Sequence, residues 1–285
     1  MTAQRLFRGA CLVIALACAS TASAQTSVAE QFSALPWEEG PTTANLGGIA
    51  QIDVPEGFQF VGKPAAGKFM ELMQNPSDGK ELGVLLHSES FWFVVFEFSE
   101  RGYVKDDDRN LDADAILANI REGTEEANKV RRERGWSTMD IVGWHQAPFY
   151  DPATNNLTWA IRGASDGDET INHATRLLGR RGVMNADLVV SPEKIGAALP
   201  EFNAMLGQFS FTAGNRYAEF TRGDKVAEYG LAGLIVGGTG VALVKSGLLQ
   251  KFWKLIVFGF LALAGAAKKL LAGFGRQSDA PQPNV

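Results

Sequence analysis

Asp106, Asp107, Asp108, Asn110, Asp112 and Asp114 crowd one short stretch, at spacings that could bring alternate side-chain oxygens around a hard cation such as Ca²⁺. The stretch departs from a calcium loop at two decisive positions. Leu111 stands where the sharp turn needs glycine, and Leu117 where a bidentate glutamate would close the shell. Asp112 suits the cap of a helix and Asp114 its positive first turn, with the others solvated. No metal or other cofactor is expected; Asp106, Asp107 and Asp108 stand as candidate binding residues.

Nucleophilic patterns fail on context. Gly163 to Gly167 (GASDG) matches GxSxG, but such an elbow needs a helix directly after the serine. Here Glu169 to Leu178 alternates like a strand, and no histidine follows His173, so a hairpin turn explains the residues better. His87, His145 and His173 form no i, i+4 pair and read as half-buried, hydrogen-bonded side chains. Arg176, Arg180 and Arg181, with Gly179 and Gly182, make a compact basic turn that could grip a phosphate or carboxylate, unless it is merely solvated. The remaining catalytic option is a hydrolase using Glu97, Glu100 and Asp106, which would have to converge in a pocket with raised pKa values.

The elements that must position these groups follow in series. Ile49–Val54, Phe58–Phe60, Leu82–His87 and Phe91–Phe98 read as strands, Pro64–Met73 as a short helix and Asn75–Lys80 as a turn. Phe91–Phe98 (FWFVVFEF) is apolar on both parities until Glu97, as in a strand covered on both faces. Across Asp112–Arg134, Ala113, Ile116, Leu117, Ile120, Thr124 and Ala127 make one helical stripe, and Arg131, Arg132 and Arg134 complement the helix dipole. Met139–Trp144 is another strand. Three alternating segments then turn at Asp166-Gly167 and at Gly179–Gly182, and Ser191-Pro192 leads into a helix with Ile195, Ala198, Leu199, Phe202 and Leu206 inward. The fold class is α+β, an antiparallel sheet with packed helices, followed by C-terminal transmembrane segments.

Both ends carry membrane signals. Arg5 and Arg8, the apolar run Ala10–Ala19 and Ala22-Ser23-Ala24 make the three parts of a secretory signal peptide, residues 1–24. Ala15 fits poorly the large residue that a lipoprotein cleavage at Cys18 would want. Cys11 and Cys18 are the only cysteines, so the mature chain has no thiol chemistry. Residues 229–271 form an anchor of two apolar segments. Tyr229–Val244 is sixteen uncharged residues, about 24 Å of helix and short of a hydrocarbon core of about 30 Å. Leu255–Ala267 extends to Leu248–Leu271, with Lys251, Lys254, Lys268 and Lys269 placed to snorkel. A membrane hairpin accounts for the low tolerance of Tyr229–Val244 for water; a single span through the second segment is the other topology, and two buried helices the soluble one. Gly233 and Gly237 form a GxxxG pair that could support self-association.

Charge divides the chain. Formal net charge is −5. From Gln25 to Thr221 there are 17 basic against 29 acidic residues, and from Arg222 onward 8 basic against 3 acidic. The acidic part excludes nucleic acid as a partner, because such binding rests on phosphate neutralisation. The basic end suits membrane lipid headgroups.

Five blocks resemble those of a bacterial family of membrane-anchored proteins that carries a domain of unknown function: GYVKDDD (Gly102–Asp108), EEANKVRRERG (Glu125–Gly135), VGWHQAPFYD (Val142–Asp151), RLLGRRGV (Arg176–Val183) and YAEFTRGDKVAEYGLAGL (Tyr217–Leu234). The likeness covers roughly Leu46–Leu271. It implies membrane anchorage and supplies no catalytic residues. The expected order of elements is also similar to photosystem-accessory and Mog-type folds, by analogy of shape alone.

The expected organisation is thus signal 1–24, a flexible or loosely packed lead-in 25–44, a periplasmic α+β domain 45–215, a juxtamembrane linker 216–228, the anchor 229–271 and a disordered tail 272–285. The expected role is binding, scaffolding or accessory work at the bacterial inner membrane, with an envelope protein as partner and without catalysis.

Overall fold

A computed structural model describes residues 27–236 except 76, 108 and 110. The signal sequence, both cysteines, Asp108, Gly237 and the second apolar segment lie outside the described residues.

The chain runs α1 (Val28–Ser33), β1 (Glu38–Glu39), β2 (Thr42–Leu46), β3 (Ala50–Val54), β4 (Phe58–Gly62), α2 (Ala65–Leu72), β5 (Glu81–His87) and β6 (Phe93–Ser99). It continues through α3 (Ala113–Glu133), β7 (Asp140–Asp151), β8 (Asn156–Ser165), β9 (Asp168–Leu178), β10 (Val183–Val190), α4 (Ile195–Leu206), β11 (Ser210–Phe211), a 3₁₀ turn at Tyr217–Glu219 and α5 (Leu231–Ile235). Eight strands form one sheet in the order β1-β4-β5-β6-β10-β9-β8-β7, and three form a second, β11-β3-β2. Every strand pairing in both is antiparallel, so the α+β expectation holds.

The large sheet is covered on both faces. On one, Leu85, Val94, Phe96, Met184, Ala186 and Leu188 pack against Ile52 and Val54 of the small sheet and Phe202 of α4. On the other, Val84, Leu86, Phe93 and Val95 meet Phe69 and Met70 of α2, while Leu157, Trp159, Ile161 and Ala174 lie in the cluster with Ile116 and Ile120 of α3. This double cover is what the unbroken apolar parity of β6 demanded. The strand itself begins at Phe93, because Phe91 sits at φ 53° inside a turn in which Nδ1 of His87 accepts from the amides of Glu89 and Ser90.

Asp112 caps α3 by accepting from the amide of Ala115 at 3.0 Å, as expected. Arg131, read as a partner of the helix dipole, does stand in the last turn but is buried, and its Nε donates to the Ser137 carbonyl. The strand expected over Met139–Trp144 runs on to Asp151 as β7, kinked by register shifts, so the meander has four strands.

The lead-in expected to be loose and the stretch expected as juxtamembrane linker and start of the anchor are both folded into the domain. Residues 27–44 form α1, β1 and the start of β2, and Phe32 packs its ring on Trp37 and Phe69 at 5.4 and 5.9 Å. Aromatic residues in that stretch outweigh its proline and glycine. Residues 216–236 also belong to the domain: Leu231, Ile235 and Val236 are 0, 5 and 4 % exposed against Val104, Ile120, Leu178 and Val183. Among the described residues no helix is long and apolar enough to cross a membrane. The first turns of the expected anchor are core.

Candidate functional site

Where β6 ends, the chain must pass close to its own C-terminal segment, and glycine makes that approach. Gly102 has φ +98°, and a Cβ there would lie 2.7 Å from the Lys225 carbonyl oxygen. Its amide donates to the Arg181 carbonyl, the Tyr103 amide to that of Lys225 and the Ala227 amide to that of Tyr103, all within 2.9 Å. Residues 225–227 are thereby fastened beside 102–104. Tyr103 then stacks between Tyr217 and Phe220, with ring centroids 4.5 and 4.2 Å away.

Asp106 sits behind this aromatic column. It accepts from Arg109 Nη2 at 2.7 Å and the hydroxyls of Tyr150 and Tyr217 at 3.1 and 3.4 Å. Burial alone would raise its pKa, but the bonds from Arg109 and Tyr150 outweigh that and hold it below the ordinary carboxylate range. Burial pushes both tyrosines above theirs, so the hydroxyls remain donors.

The arginines of the basic turn are spent on the same corner. Arg180 forks onto both Asp224 oxygens at 2.7 and 2.9 Å, and Arg181 donates to the Asn215 side-chain oxygen at 3.0 and 2.6 Å. The basic turn therefore clamps residues 215–224. Arg176 parts from its two neighbours: on the sheet face covered by α2 and α3 it bonds Asp187 at 2.7 Å and lies 4.7 Å over Trp159.

Around Arg176 runs a buried polar furrow between the α2 and α3 clusters. Glu97 is paired across strands with Glu81 on one side and Asn185 on the other, and Arg176 is paired with Asn185. Burial, then Asp78 and Asp187, push Glu97 up to about 7. Burial raises Asp187 as well, against the pull of Arg176. The side-chain amide of Asn172 and Nε1 of Trp159 are buried here with no hydrogen-bond partner among the described residues. Glu81 accepts from Ser77 at 2.8 Å, and Asp78 pairs with Lys80, so the 77–80 turn lies beside the furrow.

A third feature is an open groove of about 270 Å³ lined by His145, Ile195, Gly196, Leu199, Pro200 and Asn203. His173, 4 % exposed and edge-on to Phe202, lies in the core cluster beneath α4. Burial, then His145, hold it neutral down to about pH 4. His87 also meets α4, its Nε2 3.7 Å from Glu201.

Of the sequence-derived candidates, Asp106 is brought into contact with Tyr150 and Tyr217, Asp107 is exposed, and Arg180 and Arg181 share the corner with their guanidinium groups turned to Asp224 and Asn215. Glu97 and Asp106 do not converge, since they share no partner: Glu97 feels Asp187 and Arg176, Asp106 bonds Arg109 and the tyrosines. The GASDG stretch is a hairpin turn, with Asp166 and Gly167 at φ 52° and 85° and the Ser165 hydroxyl donating to the Thr138 carbonyl. Among the described residues no group of three histidines or carboxylates could hold a metal. Gly233 meets Tyr229 of its own chain, 2.7 Å from where a Cβ would stand.

Four of the five sequence blocks singled out above meet at this corner, through Tyr103 and Asp106, Tyr150, Arg180 and Arg181, and Tyr217 and Asp224. A family model described as "Protein of unknown function (DUF2167)" matches residues 38–267. No curated protein matches. Among solved structures, the chain is similar to cyanobacterial PsbP from Synechocystis sp. PCC 6803, at 11 % identity and a TM-score of 0.40, covering 60 % of this chain and 92 % of that one. It is also similar to the Ran-binding protein Mog1p of Saccharomyces cerevisiae, at 11 % identity and a TM-score of 0.30, covering 61 % and 96 %. Neither score carries an argument about role.

Proposed function

We propose that this chain, which belongs to the DUF2167 family of proteins of unknown function, is a membrane-tethered envelope protein that binds or scaffolds and does not catalyse. The observation that carries the reading is the convergence of four of the five sequence blocks on the corner where residues 215–236 are fastened to the sheet. A corner built to hold the chain just before its apolar C-terminal sequence suits a domain coupled closely to an anchor. The burial of Leu231, Ile235 and Val236 favours a single crossing over the apolar sequence Leu248–Leu271 rather than the hairpin. The domain then lies in the periplasm, the tail in the cytoplasm, and the partners are membrane lipid and an envelope protein; self-association through Gly233 and Gly237 is secondary, since Gly233 is already packed.

A second reading has one observation in its favour. Glu97, pushed up to about 7 by burial and then by Asp78 and Asp187, has the raised pKa that suits a general acid or base. It is half-buried and lies outside the groove by α4.

The test is fractionation of a tagged full chain in a bacterium with two membranes, followed by in-cell crosslinking and mass spectrometry. The chain should remain in the inner membrane through alkaline extraction, be protease-accessible from the periplasm, and become soluble when residues 237–285 are removed. A full chain released by alkaline extraction would overturn the tether. A chain that crosslinks to no recurrent protein would overturn the scaffolding role.

A further inference from the structure

We infer that the surface strip Phe220–Val226 rests in the headgroup layer of a phospholipid bilayer and so fixes which end of the domain faces the membrane. This rests on the tethered reading above. Phe220 and Val226, 36 % and 38 % exposed, are two of the five exposed large hydrophobic side chains among the described residues. The Phe220 ring is backed by Tyr103 and, behind it, Tyr217, so it is held outward by a packed column.

The charges of the strip sort themselves. Asp224 is neutralised by the fork of Arg180, which leaves Arg222 and Lys225, both exposed and in no ion pair among the described residues. An exposed aromatic with two free cations is the composition of the bilayer interface, where rings sit at headgroup level and Lys and Arg meet phosphates. Glu228 is exposed three residues after Lys225, so with Asp224 offset by Arg180 the segment 220–228 keeps a free charge of +1, two cations against one acid.

Position supports the same occupant. Residue 226 is five positions from the start of α5, whose five residues rise only about 7.5 Å before the sequence continues towards its second apolar segment. The strip is therefore close to where a tether must enter. The excess of acidic residues through Thr221 repels an anionic surface from the rest of the domain, which makes the orientation directional.

Lysine acetylation reads this directly. The full chain, reconstituted into vesicles of phosphatidylcholine and phosphatidylglycerol, is treated with a membrane-impermeant acetylating ester and compared with the chain in nonionic micelles. Lys225 is scored against Lys194, which follows the opposite end of β10, about 25 Å away along the strand. The Lys225-to-Lys194 rate ratio should fall about fivefold in vesicles, the gain of one basic side chain at an anionic surface. It should recover at roughly 1 M salt. The double variant F220S/R222E, altered only at exposed positions, should lose most of the protection. If the chain floats with vesicles and the ratio equals that in micelles, the orientation is wrong and the tether stands. If the chain does not float, the tether fails and this inference with it.

Discussion

Replacing Glu97 by Gln should remove a stability change that the natural chain undergoes near neutral pH. The folded carboxyl holds its proton up to about pH 7, against an ordinary value of 4.5, because burial and the neighbouring Asp78 and Asp187 disfavour its charge. An acid whose folded pKa is raised binds its proton more tightly folded than unfolded. Its stabilisation is present below the unfolded value and lost as pH rises through about 4.5 to 7. The difference of about 2.5 units corresponds to about 3 kcal/mol, a ceiling that the partial exposure of Glu97 lowers to about 2. For a domain of this size that is roughly 4–8 °C in melting temperature. Thermal unfolding followed by circular dichroism at pH 5, 6, 7 and 8 should show the natural chain losing that amount across the series. Glu97→Gln should melt alongside it at pH 5 and above it at pH 8, retaining only the shallower slope from Asp187 and exposed groups. Parallel curves for the two chains would refute the reasoning, since they would mean that the furrow admits enough water to keep Glu97 near its ordinary pKa.

Leu231→Ala tests whether the first turns of the expected anchor are core: at 0 % exposure the substitution should cost about 2–4 kcal/mol, read as a shift of the denaturant midpoint, whereas a linker residue would cost almost nothing. Gly182→Ala would put a Cβ 2.2 Å from the Ser99 carbonyl oxygen, a backbone atom that cannot yield, and should destabilise by about 2 kcal/mol or more and speed amide exchange at Gly102 and Tyr103.

The sheet and its helices were legible because their signals are local. The period-two alternation of β8 to β10, the cap at Asp112 and the two-faced apolarity of β6 each follow from a few neighbouring residues. The furrow was not legible for the opposite reason. Glu97, Asp187, Arg176 and Asn172 come from three strands, and only the order β6-β10-β9 places them side by side. Each reads alone as an ordinary polar residue on a strand. Arg131 stands in the last helical turn as its charge suggests, but nothing local says that its stem is buried.

The anchor shows where a hydropathy reading meets its limit. Tyr229–Val236 is apolar whether it faces lipid or a protein core, because both solvents reject charge. What separates the two is a partner surface, and the domain supplies one in Val104, Leu178 and Val183, beside the pairing of Tyr103 with residues 225–227. The same pairing explains why Gly102, the Arg180–Arg181 turn and the Tyr217 block, distant in sequence, make one corner: each closes a contact that the others leave open. Release of the clamp by Arg180 would free Asp224 and the strip around Phe220 together, so the residues that hold the C-terminal segment in place also set the surface it presents.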